Sequence, residues 1–415
     1  MKRYVLPILA ILFSVVVGYS VVSLWRGASL SGGNPSRENL LKAIALTPSN
    51  PDPYYKMGIL NQWDFGHIDL KESLKYLTKA IARNPLEQQY HLNVGKVLQR
   101  TGEEAASQEA LEKAIRTFPS GYQGRWIAGN LLLQQGAVEK AISHFTCILR
   151  NYPNQSPMVY DVLLKVIRNP DIVLEKIVPG EAICLNHYLL YLYDTGDKES
   201  AKKAWSKRVS LQVPASRPET VRHVEFLIAQ GELNEASRVW KTRLREEGLT
   251  AAPEGDLVTN GGFERKEILG GGFDWKVVKV AGAETDFDRS VAFRGKNSLR
   301  IRFDGKENVD FRHVFQFVSL KPDRDYVLTA HMKTKGITTL SGPKMEIRGV
   351  GTVPLVASEA MTGDNGWREV VVPFRNPPRS QGVLVMVRRE KSDKFDRLIS
   401  GTLWIDEVQI REKKI

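Results

Sequence analysis

The feature that most constrains this chain is a repeated interval. Pro48, Pro85, Pro119 and Pro153 stand 37, 34 and 34 residues apart, and Gly58, Gly95 and Gly129 repeat the 37 and 34. Ala43, Ala80 and Ala114 keep the same step, and Gly102 and Gly136 are again 34 apart. Apolar stretches of helical length separate these marks, so each interval reads as a pair of helices. The Gly58 series falls where the two helices of a unit cross closely and a side chain would push the backbones apart. The small alanines do the same from the second helix. Each proline follows an apolar helix and starts the next turn, where it stops the helix and fixes φ. The first interval of 37 reflects a three-residue insertion in the Trp63–Leu70 turn. Residues 156–180 break the pattern with Asn169-Pro170 and Val178-Pro179. Gly196, Ala201 and Trp205 then reappear 35 residues on as Gly231, Ala236 and Trp240.

A period of 34 with these residue types resembles the tetratricopeptide repeat, and Gly129, Ala141, Phe145 and Pro153 match that family's Gly, Ala, aromatic and Pro positions. The expected array covers residues 36–248 and gains its stability from neighbouring units that bury one another's faces. The resemblance implies a concave surface lined by the first helix of each unit, which takes a protein or peptide partner. By position it falls to Tyr55, Gln62, Gln89, Lys96, Gln99, Gln123, Trp126 and Asn130. Their amides and flat apolar faces suit peptide binding. The alternative is that Tyr55 and Trp126 are packing residues and the glutamines solvated.

Ahead of the array, Tyr4 to Trp25 carry no charge. As a helix these residues would rise about 33 Å, enough to cross a bilayer core of about 30 Å. Lys2 and Arg3 precede the run, and Arg26 and the interfacial aromatic Trp25 end it. The short N-terminus is therefore expected to stay cytoplasmic, with residues 1–35 forming a single-pass signal anchor in the inner (cytoplasmic) membrane. The bulk is then periplasmic or otherwise extracytoplasmic. A cleaved signal peptide, cut near Gly18-Tyr19-Ser20, is the rival reading, but the apolar run exceeds the 7–15 residues of a usual signal core.

Helical periodicity stops near residue 249, and residues 249–256 read as a linker. Beyond it come short runs of alternating β-formers: Ser298–Phe303, Tyr326–Ala330, Glu369–Val372 and Gly382–Val387, punctuated by Gly, Pro and Asp. Residues 257–415 are expected to form an all-β sandwich or jelly roll. The segments Asn260-Gly-Gly-Phe-Glu264 followed by Trp275, then Gly295-Lys-Asn-Ser-Leu-Arg300, Gln316–Tyr326, Gly366-Trp367 and Leu403-Trp-Ile-Asp-Glu-Val408 resemble, in order, the jelly-roll carbohydrate-binding modules of families 4, 9 and 22. Asp323 stands where that pattern usually has Gly.

The resemblance implies that Trp275, Trp367 and Trp404 hold core positions. It also implies a structural Ca²⁺ clamping the first and last strands, with Glu264 and Asp406 as the matching carboxylates. Salt bridging to nearby Lys or Arg is the alternative. For a polysaccharide ligand, aromatic faces beside polar groups are required. Alternation along Phe311–Leu320 puts Val314, Gln316, Val318 and Leu320 on one face and Phe311, His313, Phe315 and Phe317 on the other. The second set is expected as an outer aromatic stripe that either stacks on sugars or docks against protein. Glu346, Arg348 and Arg388 would supply polar contacts.

The net charge is +12, of which residues 257–415 carry 28 basic and 21 acidic, or +7. No basic run or tail concentrates it, which argues against a nucleic-acid partner. Cys147 and Cys184 could form one disulfide or none; both lie in apolar helical patterns and read as buried thiols. No P-loop, HExxH, GxSxG or CxxC motif is present. Asp286/Asp288 and Asp323/Asp325 read as solvated turn segments rather than a hydrolytic pair. Gly270-Gly-Gly272 reads as a loop. The expectation is a non-enzymatic, multidomain adaptor: a transmembrane helix, an all-α repeat array and an all-β jelly roll, serving exopolysaccharide or cell-envelope assembly. The alternative is an envelope scaffold that binds protein alone.

Overall fold

The computed structural model describes residues 5–64, 66, 68–249, 255–349 and 354–413. Lys2 and Arg3, part of the Trp63–Leu70 turn and most of the expected linker lie outside them. The chain divides into two compact units, Met1–Tyr191 and Leu192–Ile415.

The first unit is helical. Its elements are α1 (Val5–Ser31), α2 (Arg37–Leu46), α3 (Asp52–Trp63), α4 (Leu70–Arg83), α5 (Gln88–Arg100), α6 (Glu104–Thr117), α7 (Tyr122–Gln134), α8 (Val138–Asn151), α9 (Ser156–Ile167), the short α10 (Pro170–Ile172) and most of α11 (Ala182–Thr195). Successive helices pair as α1/α2, α3/α4, α5/α6 and α7/α8. The glycine reading holds atom by atom. A Cβ at Gly58 would sit 2.8 Å from Leu77, one at Gly95 3.0 Å from Leu111, and one at Gly129 2.8 Å from the Phe145 ring. At the first two crossings a serine of the second helix also donates to the glycine carbonyl, Ser73 to Gly58 and Ser107 to Gly95, each at 2.8 Å. Ala43, Ala80, Ala114 and Ala141 are fully buried.

Gly102 and Gly136 end α5 and α7 in the left-handed region. The amide after each glycine donates 2.8 Å to the carbonyl five residues back, Leu98 and Leu132, which closes the helix end. The irregular stretch expected at 156–180 holds the 12-residue α9, the short α10 and a π-helical turn, Val173–Ile177. Both cysteines are free thiols, but Cys147 is only half-buried, not buried as its apolar pattern suggested. Cys184 is buried, and burial pushes its pKa up to about 11.

Ala10–Ser31 of α1 is long and apolar enough to cross a membrane. Its outer turns are bare, with Phe13, Tyr19 and Trp25 all strongly exposed, whereas Ser23, Gly27 and Ser31 are buried at four-residue spacing. That stripe faces the array: a Cβ at Gly27 would meet the Thr47 side chain at 2.8 Å, and Lys56 Nζ donates to the Ser31 carbonyl at 2.7 Å. The helix therefore runs without a break into the packing of α2 and α3.

The second unit contains α12 (Lys198–Val209), α13 (Arg217–Ala229) and α14 (Leu233–Glu246), then ten strands: β1 (Lys276–Val277), β2 (Ala283–Asp288), β3 (Ser298–Asp304), β4 (Phe311–Ser319), β5 (Asp325–Ile337), β6 (Lys344–Gly349), β7 (Pro354–Ala357), β8 (Gly363–Arg375), β9 (Gly382–Arg389) and β10 (Ser400–Glu412). They form two antiparallel five-stranded sheets, ordered β1-β4-β9-β6-β7 and β2-β3-β10-β5-β8. Alternate residues of both sheets face a common core that includes Trp275, Leu299, Ile301, Val314, Val318, Leu328, Ile347, Val385 and Ile405.

Several sequence readings change here. Asp286 and Asp288 are not solvated turn residues: they lie on β2 and pair with Arg300 of β3. Burial opposes ionisation of Asp288, but hydrogen bonds from Ser290 and Trp404 and the charge of Arg300 hold its carboxyl well below the usual range. Asp323 and Asp325 do lie at a turn, exposed and paired with Arg375. Trp275 and Trp404 are buried as expected. Trp367 instead lies half-buried, 5.9 Å from the ring of Phe293, which stacks on His331 of β5 at 3.6 Å.

The glycine run is where α13 and α14 meet the sandwich. Gly270, Gly271 and Gly272 all have positive φ, which only glycine adopts without strain. A Cβ at Gly270 would meet Val221 at 3.6 Å, one at Gly271 the Trp240 ring at 3.0 Å, and one at Gly272 Ile228 and Phe317 at 2.9 and 3.0 Å, so only bare backbone fits here. A small core of Val224, Leu227, Ile228, Trp240, Leu244, Leu269 and Phe273 forms around it.

Candidate functional site

The sheet that carries β4 presents its outer face as rows of side chains in register. Lys276 pairs with Phe315, Phe315 with Met386, Met386 with Glu346, and Glu346 with Ala357, so one row crosses all five strands. The neighbouring row is Phe317, Leu384 and Arg348, and on the other side stand His313, Arg388 and Lys344. The structure thus brings six of the seven expected sugar-contact residues onto one face.

Phe311 is the exception and a correction: it is fully buried, 5.6 Å from Phe303 in the core. The ladder between β4 and β9 shifts between Phe311 and Val314, and this bulge reverses the alternation, so both residues point inward. Period-two reading has no means of seeing one extra residue.

Along the face the aromatic stripe divides. Phe317 packs into the small core under α13 and α14. Phe315, half-buried, meets Phe317 edge-on at 6.4 Å, and His313 lies beyond. The polar groups next to Phe315 form a network. Glu346 is only 1% exposed, and its Oε1 accepts from Arg348 Nε at 2.7 Å while Arg388 Nε lies 4.0 Å from Oε2. Arg388 also donates to Asp310 and, at 3.2 Å, to the Phe311 carbonyl. Burial works against ionised Asp310, yet Arg388 holds its carboxyl below the usual range. Burial and the charge of Arg312 lower the pKa of His313, so its ring is neutral at pH 7. Glu346 is thus a second correction: like Met386 beside it, which is 3% exposed, it has no surface to offer a ligand. What the face leaves half-buried are Phe315, His313, Arg348 and Arg388, an aromatic ring that can stack on an apolar ring face with donors near it for hydroxyls.

At the other expected site, Glu264 Oε1 accepts from the amides of Lys296 and Asn297 at 2.8 and 3.1 Å. Asp406 Oδ2 accepts from those of Phe293 and Arg294 at 2.8 and 3.0 Å. The two carboxylates therefore clamp one loop, residues 293–297, from the first segment and the last strand of the sandwich. Backbone strain collects here, with Asn260, Phe263 and Glu407 all at φ near +50°. Among the described residues no three His, Cys, Asp or Glu side chains converge. The Asn297 amide oxygen is nevertheless buried without a partner beside Glu264. Two carboxylates and an unpaired amide oxygen are the hard donors that Ca²⁺ takes.

In the helical unit, the expected partner residues lie on α3, α5 and α7. Amides of successive units bond along the array, Gln89 to Gln123 and, at 3.1 Å, Gln99 to Gln134. The Tyr55 hydroxyl accepts from Asn93 at 3.1 Å, and burial raises its pKa. Trp126 is half-buried between Tyr122 at 5.9 Å and Phe145 at 6.0 Å, and its carbonyl accepts from Asn130. Lys96 is half-buried. Gln62 is a correction: it is 1% exposed, its amide donates to the Gly58 carbonyl, and it has no surface to offer a partner. Asn93 and Tyr122 went unrecognised, because a one-turn shift along a helix places them beside the expected positions rather than on them.

Residues 95–156 match the family model of the tetratricopeptide repeat. No curated protein matches the chain. Among solved structures, one described as MamA is 24% identical over 29% of this chain and 68% of that chain, with a TM-score of 0.26. One described under CBM4 structure and function is 13% identical, over 38% and 99%, with a TM-score of 0.27. The C-terminal family 22 carbohydrate-binding module of Clostridium thermocellum Xyn10B is 18% identical, over 33% and 85%, with a TM-score of 0.24. The chain thus carries a tetratricopeptide repeat within a longer run of helices and ends in a two-sheet β-sandwich that resembles carbohydrate-binding modules.

Proposed function

We propose that this protein is a non-enzymatic adaptor held in the cytoplasmic membrane by α1, with its bulk outside the cytoplasm. The repeats engage a protein partner through Tyr55, Gln89, Lys96, Gln99, Gln123, Trp126 and Asn130, and the sandwich binds polysaccharide, in assembly of an exopolysaccharide or cell-envelope polymer. The observation that carries the glycan reading is the half-buried ring of Phe315 with Arg348, Arg388 and His313 on the same face of the sheet. A Ca²⁺ at the loop clamp would be held by Glu264 and Asp406 with the Asn297 amide oxygen. It would brace the two ends of the sandwich and supply no chemistry of its own.

The test is affinity electrophoresis of the full chain in detergent, through gels containing a panel of bacterial and plant polysaccharides. Retardation by one polymer, lost in Phe315→Ala and Arg348→Ala variants of unchanged melting temperature, is the expected outcome. Unchanged mobility in every gel would favour the protein-only scaffold. That second reading draws on Phe317, which already serves as a docking residue for the last helices.

A further inference from the structure

The way α1 joins the repeats fixes which edge of the helical unit faces its apolar segment. A Cβ at Gly27 would touch Thr47 at the end of α2, and one turn on the Ser31 carbonyl accepts from Lys56 of α3. Arg37, at the start of α2, donates to Asn61 near the end of α3 at 2.7 Å. Passing from Trp25 to Ser31 is therefore passing from the Pro48 end of α3 toward its Trp63 end, and the α2–α3 turn lies level with Gly27. Contacts between successive turns carry this edge along the array. Arg83, at the end of α4, donates to the Pro48 carbonyl at 2.6 Å. Gln88, at the start of α5, donates to the Phe118 carbonyl after α6 at 3.3 Å, and Tyr122, at the start of α7, meets Tyr152 edge-on at 5.7 Å. The turns at Pro48, Pro85, Pro119 and Pro153 thus share the edge on which the apolar segment enters.

Charge sets this edge apart. In its four turns, with one helical turn on either side, Arg83, Arg116, Arg125 and Arg150 stand against Asp52 and Glu87. The four turns of the opposite edge, taken the same way, hold seven acidic and four basic residues. Apolar side chains stand bare beside the prolines, Leu86 at 78% exposure and Phe118 at 51%. Trp63 and Ile68 are bare on the opposite edge, but they stand between Asp64 and Asp69, whose charge repels an anionic surface. A basic last turn also suits a helix macrodipole, but the dipole gives Leu86 and Phe118 no reason to stand in water.

We propose that this edge rests on the bilayer that α1 crosses, with Leu86 and Phe118 in the headgroup layer and the arginines against the phosphates of anionic lipid. The inference rests on the anchor reading above. The opposite edge stands roughly 20 Å farther from the lipid, the length of the 13-residue α5.

The experiment places a fluorophore on the full chain in vesicles of phosphatidylcholine, with or without phosphatidylglycerol, that contain a lipid spin-labelled at its headgroup. The labelled positions are Leu86→Cys, Phe118→Cys and, on the opposite edge, Glu103→Cys, each in a Cys147→Ser chain so that only the buried Cys184 remains. With phosphatidylglycerol present, the labels at Leu86 and Phe118 should lose most of their fluorescence and the label at Glu103 should keep it. Omitting phosphatidylglycerol, or adding Arg116→Glu, should restore part of the loss. Equal quenching at Leu86 and Glu103, or none at either, in a chain that stays with the vesicles through an alkaline carbonate wash, overturns the edge inference and leaves the anchor standing. Quenching at Leu86 that is indifferent to phosphatidylglycerol overturns the assignment to anionic lipid. A chain released by the wash overturns the anchor reading, and this inference with it.

Discussion

Replacing Gly272 by alanine tests whether the last helices and the sandwich form one packed body. Two costs are separable. Gly272 has φ +74°, and an L-residue in the left-handed region costs about 1–2 kcal/mol, reduced by a few tenths because alanine restricts the unfolded chain. The new methyl would also stand 2.9 Å from Ile228 Cδ1 and 3.0 Å from the Phe317 ring, an overpacking worth about 1–3 kcal/mol. Gly363 provides the control, since its φ is +63° and nothing lies within 4 Å of its would-be Cβ. Gly363→Ala should therefore cost about 1 kcal/mol and Gly272→Ala about 2–4 kcal/mol. For a body of this size each kcal/mol lowers the melting temperature by roughly 2–4 °C, so scanning calorimetry of the full chain separates the two. Equal shifts would refute the packed junction: they would mean that Ile228 and Phe317 do not press on Gly272 in solution.

Leu77, fully buried where Gly58 crosses α4, should cost about 2–5 kcal/mol on truncation to alanine, read as a drop in the urea midpoint of the helical unit. Arg389, fully buried, donates to the carbonyls of Ser341, Val309 and Arg397 and to Asn308; Arg389→Lys should lower the melting temperature of the sandwich nearly as much as Arg389→Met, because an ammonium cannot reproduce the fork. His223 is stacked on Trp205 at 4.4 Å and its Nδ1 shares a 2.9 Å hydrogen bond with the Tyr193 hydroxyl, and burial lowers its pKa to about 3. Its contribution to stability is full above pH 6.5 and is lost as the pH falls from there toward 3, because the unfolded chain takes up the proton first. Stability measured between pH 7 and 4 should fall less steeply in His223→Gln. Chelation of Ca²⁺ from the purified protein should lower the melting temperature of the sandwich and leave that of the helical unit alone; a melt unchanged by chelator and by added Ca²⁺ would show that the amides of residues 293–297 suffice.

The helical unit was readable because its physics repeats. Each close crossing demands a residue without a side chain and each helix end demands a left-handed residue, so Gly58, Gly95 and Gly129 and Gly102 and Gly136 print the architecture at a fixed interval. The sandwich was readable from alternation, and the failures fall where alternation is interrupted. A bulge turned Phe311 inward. Gln62 was misplaced because position within a unit says which face a residue is near, and its amide found a backbone carbonyl on that face. The role of Gly270–Gly272 was hidden for another reason. A glycine run says that something comes close, and what comes close is Val221, Ile228 and Trp240, more than 30 residues away in sequence. The register that gathers Lys276, Phe315, Met386 and Glu346 likewise belongs to the pairing of four separate strands.

The unbroken passage of α1 into the array has a mechanical consequence. A flexible joint after a membrane anchor would decouple what the lipid does from where the cargo points. Here the last two turns of the helix are wedged against Thr47 and tied to Lys56. If α1 spans a bilayer as proposed, a change of tilt that accommodates a thinner or thicker membrane would swing the helices packed on it, α2 and α3, through the same angle.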